Sequence, residues 1–165
     1  MSKAFTKDDD GSEAPVVPPR RAPLPAGTTN YVTERGLAAL TAELASERSR
    51  RQSLLHEQAE PRTLAEQALG LAELEARLAS AVLVDKALQA HDEVRFGATV
   101  TVRSLAGVER RYRIVGVDEA NAGRGELAFV APLARSLLGK RVGEAALVSS
   151  PAGEDELEVI AIDYE

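Results

Sequence analysis

The chain has 165 residues with 44% hydrophobic side chains, enough for one or two small folded domains with an ordinary core. Its net charge of -6 opposes phosphate backbones, and 4% aromatics leave few rings on which bases could stack. Without cysteine there is no disulfide, thiolate nucleophile or Cys-ligated zinc, which fits a cytoplasmic protein, as does the lack of an apolar run of membrane-spanning length or of a signal-peptide core.

Residues 1–30 carry the acidic run Asp8-Asp9-Asp10, five prolines between Pro15 and Pro25 and the basic pair Arg20-Arg21. So little apolar content cannot repay the entropy of ordering, so this segment is expected to be a disordered Pro/Arg-rich leader.

From Tyr31 the pattern becomes helical. Thr33 is placed as an N-cap, and Leu37, Leu40 and Leu44 form a seam that continues more weakly through Glu47, Arg51, Leu54 and Gln58. Pro61 marks a turn, and Thr63 with Glu66 has capping-box spacing that predicts the start of a second helix. Leu64, Leu71, Leu74, Leu78, Ala81 and Leu88 carry its apolar stripe to about residue 90, with Gly70 costing roughly 1 kcal/mol inside it. Two such helices joined by a short turn run antiparallel, so residues 31–91 are expected to form a coiled-coil hairpin. Arms of ~27 residues would reach about 40 Å and project into solvent.

Residues 92–165 read as a second, α+β domain. Strands are predicted over 96–103, 108–117, 126–130, 145–149 and 157–162, and Pro132 is suited to opening a short helix that Gly139 closes. The expected product is a strongly bent antiparallel sheet wrapped on one helix.

Three strings in this domain, Tyr112-Arg-Ile-Val-Gly-Val-Asp-Glu119, Pro132-Leu-Ala-Arg-Ser-Leu-Leu-Gly-Lys-Arg-Val-Gly-Glu144 and Pro151-Ala-Gly153, resemble the carboxy-terminal pattern of the GreA/GreB family of bacterial transcript-cleavage factors. Val32-Thr33-x-x-Gly36-x-x-x-Leu40-x-x-Glu43-Leu44 is similar to the opening of that family's coiled coil, and the Met-Ser-Lys-Ala-Phe-Thr-Lys start resembles that of some proteobacterial members. The resemblance implies an FKBP-like fold for the second domain. It does not imply prolyl isomerisation, because no aromatic-lined pocket is evident and fold alone does not carry function.

The resemblance also implies a partner, RNA polymerase, gripped at the rim of its secondary channel while the hairpin enters the channel. The factor is then not itself an enzyme: it needs no cofactor, small-molecule substrate, membrane or catalytic residue of its own. Family members use acidic tip residues to help hold a second magnesium ion, which demands oxygen ligands in tight geometry. This sequence departs from them in three places. The tip offers Glu57, Glu60 and Glu66 in place of a Gly-Asp-x-x-Glu-Asn string; helix ends and capping explain all three equally well. The hairpin lacks roughly two heptads, which shortens it by about 10 Å. At the rim, Val130 and Ala131 precede Pro132 where an acid and a serine are usual, so the docking set becomes Asp118, Glu119, Val130, Pro132 and Leu133. For these a polar turn, a helix start and core packing are the structural alternatives.

Arg48, Arg50 and Arg51 form a basic cluster at mid-arm, either a solvated helix face or a contact with nascent RNA or an acidic channel wall. His56 and His91 have no partner at ligand spacing, so no metal site is expected. The reading is an elongation factor of GreA/GreB type that regulates elongation or transcript cleavage; whether it stimulates cleavage or modulates the channel without it is left open, the missing tip acids favouring a non-cleaving modulator. The alternative is an interaction module that retains the fold without binding polymerase.

Overall fold

The computed structural model describes residues 21, 23–85, 87, 89, 91–150 and 153–164. The expected leader lies outside the described residues up to position 20 and at 22. Its last residues are built into the body: Asn30 is buried and opens strand β1 (Asn30–Val32).

Helix α1 (Glu34–His56) begins as the sequence predicts, with the Thr33 hydroxyl accepting from Gly36 N at 3.0 Å. It ends with Gln58 in the left-handed region, where Gln58 N donates to Leu55 O and Ala59 N to Leu54 O. This is a Schellman-type close without the usual glycine. Helix α2 (Pro61–Ala79) departs from expectation: Pro61 is its first residue, and Thr63 with Glu66 does not cap it. A proline at the first helical position forfeits only an amide that would be unsatisfied anyway. Glu66 pairs instead with Arg62 one turn earlier, at 3.0 Å.

The hairpin arms are 23 and 19 residues, about 34 and 28 Å, shorter than expected. The second helix stops at Ala79 and does not reach residue 90. Ala81–Leu83 form strand β2, which pairs parallel with β1 beneath the hairpin. The β-branched and branched run at 82–84 suits that strand better than a helix. Asn30 ties the junction, donating to Arg77 O at 2.8 Å and Ser80 Oγ at 3.1 Å at the end of α2.

The hairpin core is confined to its base, where Val32, Leu40, Leu44, Leu71 and Leu74 are buried together. One turn further out the seam is polar. Gln67, 2% exposed, donates to Glu47 O at 3.2 Å and to the Glu47 carboxylate at 2.5 Å. Beyond it, Arg51 donates to Leu64 O at 3.1 Å. The weak seam positions are thus a cross-helix hydrogen-bonded layer.

The second domain is a five-stranded sheet in the order β5-β4-β3-β7-β6. Strands β3 (Thr99–Ser104), β4 (Glu109–Val115), β6 (Ala145–Ser150) and β7 (Gly153–Asp163) pair antiparallel. The sheet is antiparallel as expected apart from β5 (Glu126–Ala128), which runs parallel to β4. The chain between them crosses back through 3-10 turns at Val117–Glu119 and Ala122–Arg124. Helix α3 (Pro132–Leu137) closes the other side, Gly139 following at φ 79°. Val100, Val102, Ile114 and Val159 meet Ala134 and Leu137 in a core with no measurable exposure beyond 1%.

Candidate functional site

The two domains meet where the amino terminus of α1 lies against the 3-10 turn Val117–Glu119. The Glu119 carboxylate accepts hydrogen bonds from Thr33 N at 3.1 Å, Gly116 N at 3.1 Å and the Thr33 hydroxyl. A carboxylate set on unpaired amides at a helix start gains from both hydrogen bonding and the helix dipole. This approach requires glycine at two positions. A Cβ on Gly36 would lie 2.3 Å from Glu119 Cδ, and one on Gly116 would lie 2.7 Å from Tyr31 O. The Val-Thr-x-x-Gly and Val-Gly-x-Asp-Glu stretches, far apart in sequence, are the two halves of one clasp.

Charged groups extend the clasp on both sides. Asp118 pairs with Arg21 at 2.9 Å and with buried Arg77 at 3.5 Å, and Arg21 also reaches Glu43 on α1 at 2.6 Å. Burial works against the charged Arg21, but hydrogen bonds and charge from Asp118 and Glu43 outweigh it and raise its pKa. On the opposite flank Glu126 on β5 takes Arg35 from α1 at 2.5 Å and Arg124 at 2.9 Å. Its burial favours the neutral acid, yet Arg35 first and Arg124 second hold its pKa below the usual carboxylate value. Rings from three places fill the space between: Tyr31, Phe96 and Phe129 form a triangle with centroids 5.6 to 5.9 Å apart in tilted and edge-on pairs. Such pairs add about 0.5–1.5 kcal/mol each beyond burial.

The residues expected on a docking surface divide accordingly. Asp118 and Glu119 are not outward-facing: their side chains are 7% and 6% exposed and committed to the clasp. Of the two alternatives the sequence left open, an inward polar turn or a direct contact, the arrangement in the isolated chain is the inward turn. Pro132 is exposed, Val130 is half-buried and Leu133 packs onto the sheet core, so the start of α3 presents an apolar edge.

At the hairpin tip Glu57 and Glu60 are exposed on either side of Gln58, and Glu66 lies a turn further into α2 with Arg62. Among the described residues no three His, Asp, Glu or Cys side chains gather as a metal would need. The mid-arm arginines do not form one patch. Arg48 bridges to Glu75 at 2.8 Å, Arg50 lies 4.0 Å from Glu47, and Arg51 is spent on the seam. His91 stacks on Tyr164 at 4.5 Å, while His56 is exposed at the end of α1. Burial raises the Tyr164 pKa, and its hydroxyl donates to Glu93 O at 2.6 Å.

Sequence reasoning missed Arg21, Arg35, Arg77 and Glu126. Each is an ordinary surface residue type whose partner lies on another element. The one available signal was Gly36 inside a helical run, a position where alanine would otherwise be favoured.

Against known proteins, residues 89–164 match the family model described as "Transcription elongation factor, GreA/GreB, C-term". The transcription elongation factor GreA of Hyphomonas neptunium is 41% identical over 95 residues, which are 57% of this chain and 60% of that protein. GreB of Neisseria meningitidis serogroup A is 38% identical over 89 residues, 53% of this chain and 55% of that protein. The matches thus span less than two thirds of these relatives' length. A solved prokaryotic transcription elongation factor GreA/GreB from Nitrosomonas europaea is 19% identical with a TM-score of 0.43, over 83% of this chain and 99% of that one. No helix among the described residues is long and apolar enough to cross a membrane.

Proposed function

We propose that this chain, whose residues 89–164 match the GreA/GreB carboxy-terminal model, is a transcription elongation factor that binds RNA polymerase and modulates it without supplying a metal-ligating tip. The carboxy-terminal domain docks at the rim of the secondary channel through the apolar edge of Val130, Pro132 and Leu133. The hairpin then points into the channel.

The observation that carries the non-cleaving reading is the tip. Holding a magnesium ion takes convergent carboxylate oxygens on a rigid frame. Here exposed Glu57 and Glu60 are separated by left-handed Gln58 and by Ala59, and Glu66, beyond Pro61 in α2, is ion-paired to Arg62. Arms of 23 and 19 residues place that tip only about 28 to 34 Å from the hairpin base. Occupancy of the channel, not chemistry at its end, is what such a hairpin supplies. The clasp around Glu119 supports this role, because it fixes the hairpin to the docking domain through buried charge.

The test is co-purification with core RNA polymerase, followed by transcript cleavage in a backtracked complex. The wild-type chain is compared with Val130→Asp and with the triple variant Glu57→Ala, Glu60→Ala, Glu66→Ala. The expected result is binding that Val130→Asp weakens about tenfold or more, and a cleavage rate that neither wild type nor triple variant accelerates. Acceleration that the triple variant abolishes would make the glutamates a working tip. Failure of the wild type to bind would favour an interaction module that keeps the fold for another partner.

A further inference from the structure

Arg21 comes from the segment before β1, yet its guanidinium sits between the two domains. Its Nη2 donates to both oxygens of Glu43 on α1, at 2.7 and 2.6 Å, and its Nη1 donates to Asp118 Oδ1 in the 3-10 turn at 2.9 Å. On the far side of that carboxylate Arg77 Nε lies 3.5 Å from Oδ2, which has no hydrogen bond among the described residues. Two carboxylates, one from each domain, thus hold one guanidinium fork. A compact ammonium could not reach both with the same set of bonds.

The Arg21 side chain is 21% exposed and lines two clefts at the hairpin base. One, of about 390 Å³, runs past Ala39, Leu40 and Asn121; the other, of about 350 Å³, runs past Leu24, Ala76 and Ser80. Between Arg21 and β1 the chain is mostly exposed at Pro23 and residues 25–27, and its hydrogen bond from Thr28 N to Pro25 O, at 3.1 Å, is local. The carboxylates, in contrast, stand on the helix and the turn that the Glu119 clasp joins. Withdrawing Arg21 without a replacement would strip Asp118, 7% exposed, of the hydrogen bond to Oδ1, and a buried charge left short of partners is costly. Exchange for another guanidinium avoids that cost.

We propose that Glu43 and Asp118 form a receptor for an arginine side chain of a partner protein, and that Arg21 occupies it from within the chain until displaced. The exchange replaces like with like at the carboxylates, so a partner arginine prevails through what surrounds it in the two clefts. Arg21 thereby sets a threshold that a lone cation does not pass. The receptor is complete within the chain and does not depend on the polymerase reading.

The test is a titration of the full-length protein with argininamide, followed through the backbone amide resonances of Glu43 and Asp118 in two-dimensional NMR. Lysinamide, of the same charge and at the same concentration, is the control. In wild type Arg21 competes at the millimolar effective concentration of a tethered group, so Arg21→Gln should bind argininamide at least tenfold more tightly. Lysinamide should give no saturable shift in either protein, and adding Glu43→Gln to Arg21→Gln should abolish the response to argininamide. No saturation of Arg21→Gln up to tens of millimolar, equal affinities of Arg21→Gln and wild type, or an equal response to lysinamide would overturn the inference. Arg21→Lys keeps the charge but not the fork and should also bind argininamide more tightly than wild type, so it carries the same test if Arg21→Gln does not fold.

Discussion

Replacing Gly36 with alanine reverses the sign that helix propensity assigns. Gly36 is in the first turn of α1 with ordinary helical backbone, so in an isolated helix the added methyl would stabilise by about 1 kcal/mol. In the folded chain that methyl would sit 2.3 Å from Glu119 Cδ and 2.4 Å from Oε2, against the 3.4 Å of ordinary contact. The carboxylate must retreat by an ångström or more and cannot then keep its bonds from Thr33 N, Thr33 Oγ1 and Gly116 N. Hydrogen bonds to a charged acceptor are worth about 1.5–3 kcal/mol each net. Losing two of the three, less the helix gain, destabilises by about 2–5 kcal/mol. Urea unfolding of Gly36→Ala, Glu119→Ala and the double variant measures this as a coupling energy. In the Glu119→Ala background the glycine substitution should be neutral or stabilising. A single variant as stable as wild type, or the same loss in both backgrounds, would refute the clasp as the reason for the glycine.

Glu126 has a depressed pKa, so its stabilisation is fully present above the ordinary value of 4.5 and is lost as pH falls through the lower folded value. Glu126→Gln should therefore cost about 1–2 kcal/mol near neutrality and progressively less on acidification; thermal melts across that range check the slope, and a constant difference would count against the Arg35 pairing. In the hairpin, Glu47→Leu with Gln67→Leu replaces the polar layer by a continuous apolar seam, and the double variant should gain about 1–3 kcal/mol in denaturant melts. Gln67→Leu alone removes an amide donor from the Glu47 carboxylate and should gain less than the pair. If both changes destabilise, the layer contributes more to stability than to hairpin register.

The hairpin and the carboxy-terminal domain were legible because each rests on local periodicity: Leu40, Leu44, Leu71 and Leu74 at helical spacing, Val100 and Val102 at alternate positions of a strand. Element ends were less legible. Pro61 reads equally as a break or as a first helical residue, and the choice rested on where Leu64 N found its acceptor, which is Glu60 O. The polar seam was visible only as a lapse in the leucine pattern, since nothing in the sequence says that Gln67 faces Glu47.

The sequence by itself determined the resemblance of residues 89–164 to the GreA/GreB carboxy-terminal pattern and the existence of a helical hairpin before it, since both follow from residue types at fixed spacing. Only the tertiary structure decided what Asp118 and Glu119 do. As a sequence they are an acidic turn open to any partner. In the fold both carboxylates face inward, Asp118 toward Arg21 and Arg77 and Glu119 toward Thr33 and Gly116, from segments up to 97 residues away. Spacing along a chain encodes which face of an element is apolar. It does not encode which distant groups will compete for a carboxylate, because that is fixed by how the elements pack.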